Sequence, residues 1–358
     1  MKKALILLLL AGMIAPVFAG DAAVLPQGVG RLYIVPAFSF WSDAFDDDSE
    51  RDDSVLGDAT SFNLASALEY GVTPFLSAGL QYIPGYVISN DFSDEENVDA
   101  TGTGNLDIGA KIQVVGPQGL VPNEVIRLSF LPGVFLPLSS YDAESEAESQ
   151  AAGDDFAADG VGNSSFGGGM QTAFDYFITP EFYVNVFNEF RLYAAEDFEE
   201  AGVEPYALWA GYADGIATAS GGTVELEQPG DVNPGYDLTF EIEPTYQKQL
   251  SETLRLTGSV AGTWTYSPGQ SFVDDYAVDL SSTGNNTLIA TGEEAEQVIN
   301  DALSPESQTL SIGPSAALLV SSLPLPMEFQ LDATIPVWGK NSEARNTLAF
   351  QWEIYFAF

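Results

Sequence analysis

Apolar and polar residues alternate along much of this chain, and the last thirteen residues show the pattern most clearly. Six apolar side chains occupy every second position there: Leu348, Phe350, Trp352, Ile354, Phe356 and Phe358. They would share one face of a strand, because successive side chains of a strand point to opposite faces. A strand of this length crosses a bilayer when tilted. The pattern therefore predicts either a membrane-crossing strand or the final strand of a soluble sandwich.

Eleven earlier segments show similar alternation, so the sequence predicts about twelve strands in all. Ten or fourteen strands remain as alternatives, because the boundaries of strands are harder to locate than the strands themselves. The predicted strands are 30–41, 60–70, 75–88, 105–115, 125–137, 164–177, 182–194, 235–248, 254–266, 309–320, 327–337 and 346–358.

The lengths of the connections follow a rule. Connections after the even-numbered segments are short, as in 71–74 and 250–253, whereas those after the odd-numbered segments are mostly long, as in 42–59 and 195–234. Outer-membrane barrels have this asymmetry, with short periplasmic turns and long extracellular loops. The sequence therefore predicts an all-β fold, a transmembrane antiparallel up-and-down β-barrel with long acidic extracellular loops.

The first nineteen residues have the features of a secretory signal peptide. Lys2 and Lys3 precede an apolar run from Ala4 to Val17, and small residues around Ala19 provide a cleavage site. We expect residues 1–19 to be removed and residues 20–358 to form the barrel. About ten residues separate the cleavage site from the first strand, so no energy-coupling plug domain is expected. The chain has no cysteine, which excludes a lipoprotein anchor and a disulfide framework.

The net charge of −41 at pH 7 excludes nucleic acid as a partner, since phosphates require lysine and arginine. Most acidic residues lie in the long loops, for example Asp46 to Asp48 and Glu196 to Glu200. Solvation of the loops explains most of this enrichment. A saline habitat, or divalent ions that bridge the loops to a charged outer leaflet, are further explanations. No loop has EF-hand spacing, and we expect no metal site and no cofactor.

The fifth long loop contains a helical pattern. Thr291 to Glu294 matches a capping box. Apolar residues then recur at helical spacing up to Leu303, and Pro305 would end the helix. We expect a short amphipathic helix here. It would lie over the barrel mouth, enter the lumen as a constriction, or pack on neighbouring loops outside the pore.

The polar faces of the strands carry the candidate pore residues. A soluble barrel would turn these faces outward and fill its centre with apolar side chains, but twelve strands enclose too wide a space for that. The charged residues predicted to line the lumen are Arg31, Glu69, Asp107, Lys111, Arg127, Asp175, Glu189, Arg191, Asp237, Glu241, Glu243, Arg255, Glu328, Asp332 and Glu353. Ten acids face five bases in this set, so an open pore should prefer cations.

Each of these arginines is expected to pair with a nearby carboxylate, because an unpaired charge inside the wall is costly. Rows of paired charges would then have one of two roles. They would shape the electric field of a pore, or they would brace a mostly closed barrel.

A glycine motif occurs twice where the chain re-enters the barrel from a long loop. Gly102 to Gln113 and Gly160 to Gln171 both read GxGNxxxGxxxQ. The first glycines permit a tight turn, and the later glycine leaves room for a loop or ligand to approach the wall. No βαβ context follows, so the motif is not a nucleotide-binding fingerprint.

Two features of the chain resemble known families. The strand that ends at Phe358 resembles the last strand of bacterial outer-membrane barrels, which implies recognition by the outer-membrane assembly machinery. Ile108 to Lys111 within the first glycine motif resembles a segment of the outer-membrane transporter family assigned to the MetA pathway of phenol degradation, although Asn105 replaces the usual aspartate. This resemblance implies a barrel in contact with outer-membrane lipid that passes small, often hydrophobic, molecules.

The sequence favours a passive channel for small molecules, narrow and cation-preferring if open. A structural or adhesive surface protein is the alternative. An enzyme is not expected, because the chain has neither histidine nor cysteine and so lacks the usual hydrolytic triads and thiol nucleophiles.

Overall fold

The computed structural model describes residues 22–54, 58–91, 98–138, 165–198, 203–274 and 276–357. The predicted signal peptide, the first five residues of the second glycine motif and Phe358 lie outside these ranges. Within them, sheet dominates, and two helices of more than one turn occur in the loops.

Twelve long antiparallel strands form the fold, as the alternation predicted. The strands are β1 (Val29–Trp41), β2 (Asp58–Thr73), β3 (Leu76–Asp91), β4 (Leu106–Gly116), β5 (Ile126–Leu136), β6 (Gly167–Phe177), β7 (Phe182–Tyr193), β8 (Tyr236–Ser251), β9 (Leu254–Ser267), β10 (Ser307–Val320), β11 (Met327–Lys340) and β12 (Asn346–Ala357). Each strand overlaps one predicted segment, which confirms the strand count.

Every strand pairs with its neighbours in sequence, and the last strand pairs with the first. The closing ladder runs from Val29↔Ala357 to Phe40↔Asn346. The sheet therefore has no free long edge and forms a closed up-and-down barrel. One end of the barrel carries the tightest connections, 74–75, 178–181 and 252–253. We call it the short-turn end.

The outer face of the wall is apolar and the inner face is polar, as a membrane-spanning barrel requires. Large apolar side chains on the outer face are exposed, for example Phe62 at 47% and Leu331 at 57%. Charged side chains at alternate positions are buried inside, among them Glu69 at 2% and Asp175 at 0%. A water-soluble fold buries its apolar face instead. The barrel thus presents an apolar surface to lipid and a polar one to its interior.

The connections contain two helices, a 3-10 turn and several short strands. Helix α1 spans Val203–Ser220, helix α2 spans Asn286–Asp301, and a 3-10 turn spans Ser281–Thr283. The short strands are Asp43–Phe45, Arg51–Asp53, Val98–Gly102, Val121–Pro122, Val232–Asn233, Ser271–Phe272 and Ser342–Glu343. Neither α1 nor α2 combines the length and apolarity that a membrane-crossing helix needs.

Helix α2 confirms the predicted helix but not its predicted start. Asn285 is the N-cap, and its side chain accepts hydrogen bonds from the backbone N–H groups of Thr287 at 3.0 Å and Leu288 at 3.5 Å. Thr291 lies inside the helix instead, where its hydroxyl donates to the carbonyl of Thr287 at 3.0 Å. Asparagine satisfies the first-turn donors as well as threonine does, so the helix begins one turn and a half earlier.

The two helices share a small apolar core made only of loop residues. Ile216 of α1 and Ile299 of α2 are fully buried in it, together with Phe198 and Leu280. Of the three placements considered for α2, the one supported is packing on neighbouring loops. Helix α1 was not predicted, because its apolar residues extend around the helix and lack the 3.6-residue period that reveals an amphipathic one.

We expect Gly292→Leu to destabilise this loop core. A Cβ at Gly292 would stand 2.8 Å from Val278 and 2.9 Å from Leu280, and overpacking of this kind costs about 1–3 kcal/mol. Limited proteolysis of the membrane-embedded protein should cut the loops faster. Gly215→Leu is the matched control, because nothing lies within 4 Å of a Cβ at Gly215. Equal cutting rates for the two variants would contradict the packing.

Candidate functional site

The structure places all fifteen predicted lumen residues on the inner face of the barrel. Nine of them are at most 9% exposed: Arg31, Glu69, Asp107, Lys111, Asp175, Glu189, Arg191, Glu328 and Glu353. The other six are half-buried: Arg127, Asp237, Glu241, Glu243, Arg255 and Asp332. The buried group is concentrated on β1–β7, and most of the half-buried group lies on β8–β11. One side of the interior is therefore packed, and the other is more open.

Arg31 joins the strands that close the barrel. Its guanidinium lies 2.7 Å from the carboxylate of Glu69 on β2 and 3.3 Å from that of Glu353 on β12. It also stacks over the ring of Tyr33 at 4.5 Å. Because β1 lies between β2 and β12, this three-residue ion cluster connects both neighbours of the first strand.

Arg191 forms the second buried ion cluster. Its Nε lies 3.0 Å from Glu189, and its Nη2 lies 3.4 Å from Asp107 on β4. The guanidinium stacks on Phe135 at 4.4 Å. To reach β4 from β7, this side chain must pass over β6 and β5.

Two glycines of β6 make this arrangement fit. A Cβ at Gly167 would lie 3.0 Å from the ring of Phe135, and one at Gly169 would lie 3.2 Å from it. Side chains at these positions would push Phe135 off the wall. Gly167 is the later glycine of the second copy of the sequence motif, and the group that approaches the wall there is an aromatic ring of the chain itself.

The other two interior arginines are also paired with carboxylates. Arg127 lies 3.8 Å from Asp175, and Arg255 lies 3.3 Å from Glu328. The expected pairing of interior arginines is thus confirmed for all four.

Four interior carboxylates have hydroxyl or amide partners instead of cations. One of them, Asp237, accepts from the hydroxyl of Tyr193 at 2.7 Å. Glu241 accepts from Thr263 at 2.8 Å, Glu243 accepts from the hydroxyl of Ser259, and Asp332 accepts from Gln330 at 2.7 Å. None of the four forms an ion pair within the described ranges. Glu241 and Glu243 are neighbours on the inner face of β8, and Asp332 lies across from Glu243 beyond the paired residues Ser259 and Ser315. This acidic triad, Glu241, Glu243 and Asp332, leaves net negative charge on the open side.

A recess of about 510 Å³ lies against the packed side. Its floor is a row of glycines on adjacent strands, paired as Gly79↔Gly109, Gly109↔Gly133 and Gly133↔Gly169. Gly109 is the later glycine of the first motif copy. The three atoms nearest to a Cβ at Gly109 or at Gly133 would be backbone atoms of the neighbouring strand, so no side chain lies closer to this part of the wall.

A segment that precedes β1 enters the barrel, although no plug domain was expected. Ala22, Val24 and Leu25 are 0%, 7% and 7% exposed. The carbonyl of Ala22 accepts hydrogen bonds from Gln113 at 2.7 Å and from Ser129 at 2.6 Å. We call Ala22–Leu25 the entry segment. Nothing in its sequence indicated this position, because its partners are about a hundred residues away in the chain.

The entry segment is anchored at the short-turn end. The N–H of Gly28 donates to the carbonyl of Gly71 at 2.9 Å, and that of Val29 donates to the carbonyl of Pro26 at 3.0 Å. Gly71 has no side chain, which lets the Pro26 carbonyl lie directly against it. The segment therefore turns inward just before β1 and narrows this end of the barrel.

Within the described ranges, no group of three or more acidic residues is arranged to hold a metal ion. The interior offers paired charges, an acidic triad, a glycine-floored recess and a bound stretch of main chain.

No protein-family model and no curated protein sequence matches the chain. Among solved structures, an outer membrane channel from Pseudomonas putida F1 is similar, with a TM-score of 0.59 and 12% identity over 96% of this chain and 100% of that chain. The β-domain of the Bordetella autotransporter BrkA has a TM-score of 0.41 and 9% identity, covering 92% and 100% of the two chains.

The toluene transporter TbuX of Ralstonia pickettii has a TM-score of 0.34 and 9% identity, covering 93% and 90%. The likeness to the Pseudomonas channel, with a TM-score above 0.5 at 12% identity, supports the fold alone. Together with the apolar outer face and the closed ladder, that likeness identifies the chain as a twelve-stranded β-barrel protein of the bacterial outer membrane.

Proposed function

We propose that the protein is a narrow passive channel for small molecules and that it prefers cations. The observation that carries this proposal is the acidic triad, whose charge no basic residue neutralises in the described part of the chain. The four interior arginines are all paired with carboxylates, so they offer little attraction to an anion.

The width of the barrel supports a narrow route. Eight strands are filled by their own side chains, whereas sixteen strands leave a wide aqueous pore. Here the packed side carries two ion clusters and the entry segment, which leaves the β8–β11 side as the route. A low-dielectric wall concentrates the field of the triad in such a space. Cations should therefore enter more readily than anions.

The fifteen inward residues would divide into two roles under this proposal. The nine that are buried would brace the wall through ion pairs, and most of the half-buried residues would line the route itself. The resemblance of Ile108 to Lys111 to a transporter family adds a solute class, small and often hydrophobic organic molecules. We also propose that the last strand is read by the outer-membrane assembly machinery.

Single-channel recording in a planar bilayer under a salt gradient tests the proposal. Wild-type protein should give discrete steps with a cation-selective reversal potential. The triple variant Glu241→Gln, Glu243→Gln, Asp332→Asn should lose most of that selectivity. A control that neutralises the loop residues Asp46, Asp48 and Asp301 removes as much charge and should change it little, because exposed loop charges are screened within about 10 Å at 0.1 M salt.

Silence from folded, inserted protein would overturn the channel. So would anion selectivity.

A surface role is the second candidate, and the folded loop core favours it. Two helices with a shared apolar core are more structure than solvation of a loop requires. Deletion of residues 203–220 should abolish adhesion to a host or neighbouring cell if the surface is the working part. The same deletion should leave the cation selectivity of a channel intact, since the triad lies in the barrel.

A further inference from the structure

The entry segment is held by its main chain. The N–H of Ala22 donates to Asp175 at 3.3 Å, and the N–H of Leu25 donates to Ser77 at 3.0 Å. The Ala22 carbonyl accepts from both Gln113 and Ser129. Only main-chain atoms of the segment take part in these four bonds, so they do not depend on its side chains.

The groups that hold the segment come from four consecutive strands. Ser77, Gln113, Ser129 and Asp175 belong to β3, β4, β5 and β6, and each is at least 98% buried. Buried polar groups require hydrogen-bond partners, and the main chain of the entry segment supplies one to each of these four side chains. These four side chains form a groove across the inner wall near the short-turn end.

We propose that this groove is a binding site for an extended peptide main chain, and that the entry segment is its resident and exchangeable occupant. The segment constricts the channel when it is bound and widens it when it leaves. The gating part rests on the proposed function, whereas the binding part does not.

Three features favour exchange. Each of these bonds replaces a hydrogen bond to water, so the net gain from each is modest. The side chain of Ala22 is a single methyl group, which packs with Ala173 and Phe187 and buries little apolar surface. Finally, the turn at Gly28 has a positive φ of 81° and holds the base of the segment at Gly71 whether or not the segment is bound.

Cysteine accessibility tests the binding part without any need for conductance. The chain has no native cysteine, so Val24→Cys introduces a single thiol at a position that is 7% exposed. In refolded full-length protein, a charged, membrane-impermeant thiol reagent should modify it slowly. Adding Ser77→Ala and Ser129→Ala removes two of the bonds and should speed modification on the order of tenfold.

The matched control adds Ser39→Ala and Ser61→Ala to Val24→Cys. Both serines are buried on the inner face, at 1% and 5% exposure, but neither contacts the entry segment. This control should modify at the rate of the single variant. Fast modification of the single variant, or equal acceleration in both pairs, would overturn the binding site.

Conductance then tests the gating part. Deletion of residues 22–25, which spares the turn at Pro26 to Val29, should raise the single-channel conductance. An N-acetylated synthetic peptide Ala-Ala-Val-Leu-Pro-Gln, added at the short-turn side, should restore the lower conductance. A version N-methylated at its first alanine and at its leucine should not, because it lacks the two donating N–H groups. Should the deletion variant fail to fold, the Ser77→Ala, Ser129→Ala variant provides the same comparison.

The outcomes separate the two proposals. Suppose that the thiol of Val24→Cys is protected, that the two serine substitutions expose it, and that the protein never conducts. That result would uphold the peptide site and overturn the channel. Conducting protein whose conductance is unchanged by deletion and by peptide would overturn the gating while the channel stands.

Discussion

Arg31→Met should lower the free energy of unfolding by about 3–5 kcal/mol, because it leaves two carboxylates buried without their cation. Glu69 and Glu353 lie 2.7 and 3.3 Å from the Arg31 guanidinium, and their side chains are 2% and 7% exposed. The ion pair of Arg31 with Glu353 also joins β1 to β12, the two strands whose pairing closes the barrel. We therefore expect Arg31→Met to weaken mainly the pairing of β12 with β1, which closes the barrel.

Urea unfolding of the refolded protein in lipid vesicles, followed by tryptophan fluorescence and by the heat-dependent shift in gel mobility, measures this loss. Arg51→Met is the control. Its partner Asp43 lies at the same distance of 2.7 Å, but the Arg51 side chain is 49% exposed, and exposed ion pairs contribute about 0–1 kcal/mol. Similar losses for the two variants would show that the interior at Arg31 is wet and that its carboxylates are solvated.

Arg31 illustrates what the sequence alone predicts well and what it does not. The faces of the wall follow from alternation, since lipid demands apolar side chains at every second position and each strand reports this locally. Arg31 was therefore assigned to the interior from its own strand. Its partners required the register between β1, β2 and β12, which links residues 38 and 322 positions apart in sequence.

Loop structure was predicted less well for a related reason. Helix α2 was found from its period, but its start was misplaced, because Thr291 and Asn285 are both acceptable caps and only the packing of Leu288 distinguishes them. Helix α1 has too uniform an apolar composition to reveal a buried face. Its position depends on contacts with α2 and with Phe198, which no local pattern encodes.

The role of the later glycine of the motif, to leave room at the wall, was predicted correctly but incompletely. The later glycine does leave room at the wall in both copies. In the copy that ends at Gln171 the room is occupied by Phe135, whereas at Gly109 it remains uncovered. Two identical patterns thus differ in whether a side chain covers them, since any covering side chain comes from another strand and is placed by register.

Two further arginine reversals should raise cation preference equally and differ in their effect on folding. Arg127→Glu and Arg191→Glu each change the interior charge by the same amount, and both side chains point into the barrel. The side chain of Arg127 is 30% exposed, whereas that of Arg191 is 10% exposed. Water near Arg127 can solvate a new carboxylate, so we expect most of the protein to fold.

At Arg191 a new carboxylate would join Glu189 and Asp107, which now lie 3.0 and 3.4 Å from the guanidinium. Three buried acids without a cation repel one another, and the stack on Phe135 is lost as well. We expect a loss of more than about 3 kcal/mol and a sharply lower yield of folded protein.

The reversal potential of the channels that do form, together with the folded fraction on gels, measures both effects. Arg51→Glu, which changes an exposed loop charge, should change neither quantity appreciably. If both interior reversals left the selectivity at the wild-type value in folded protein, ions would not pass along the inner face, and the interior charges would serve only to brace the wall.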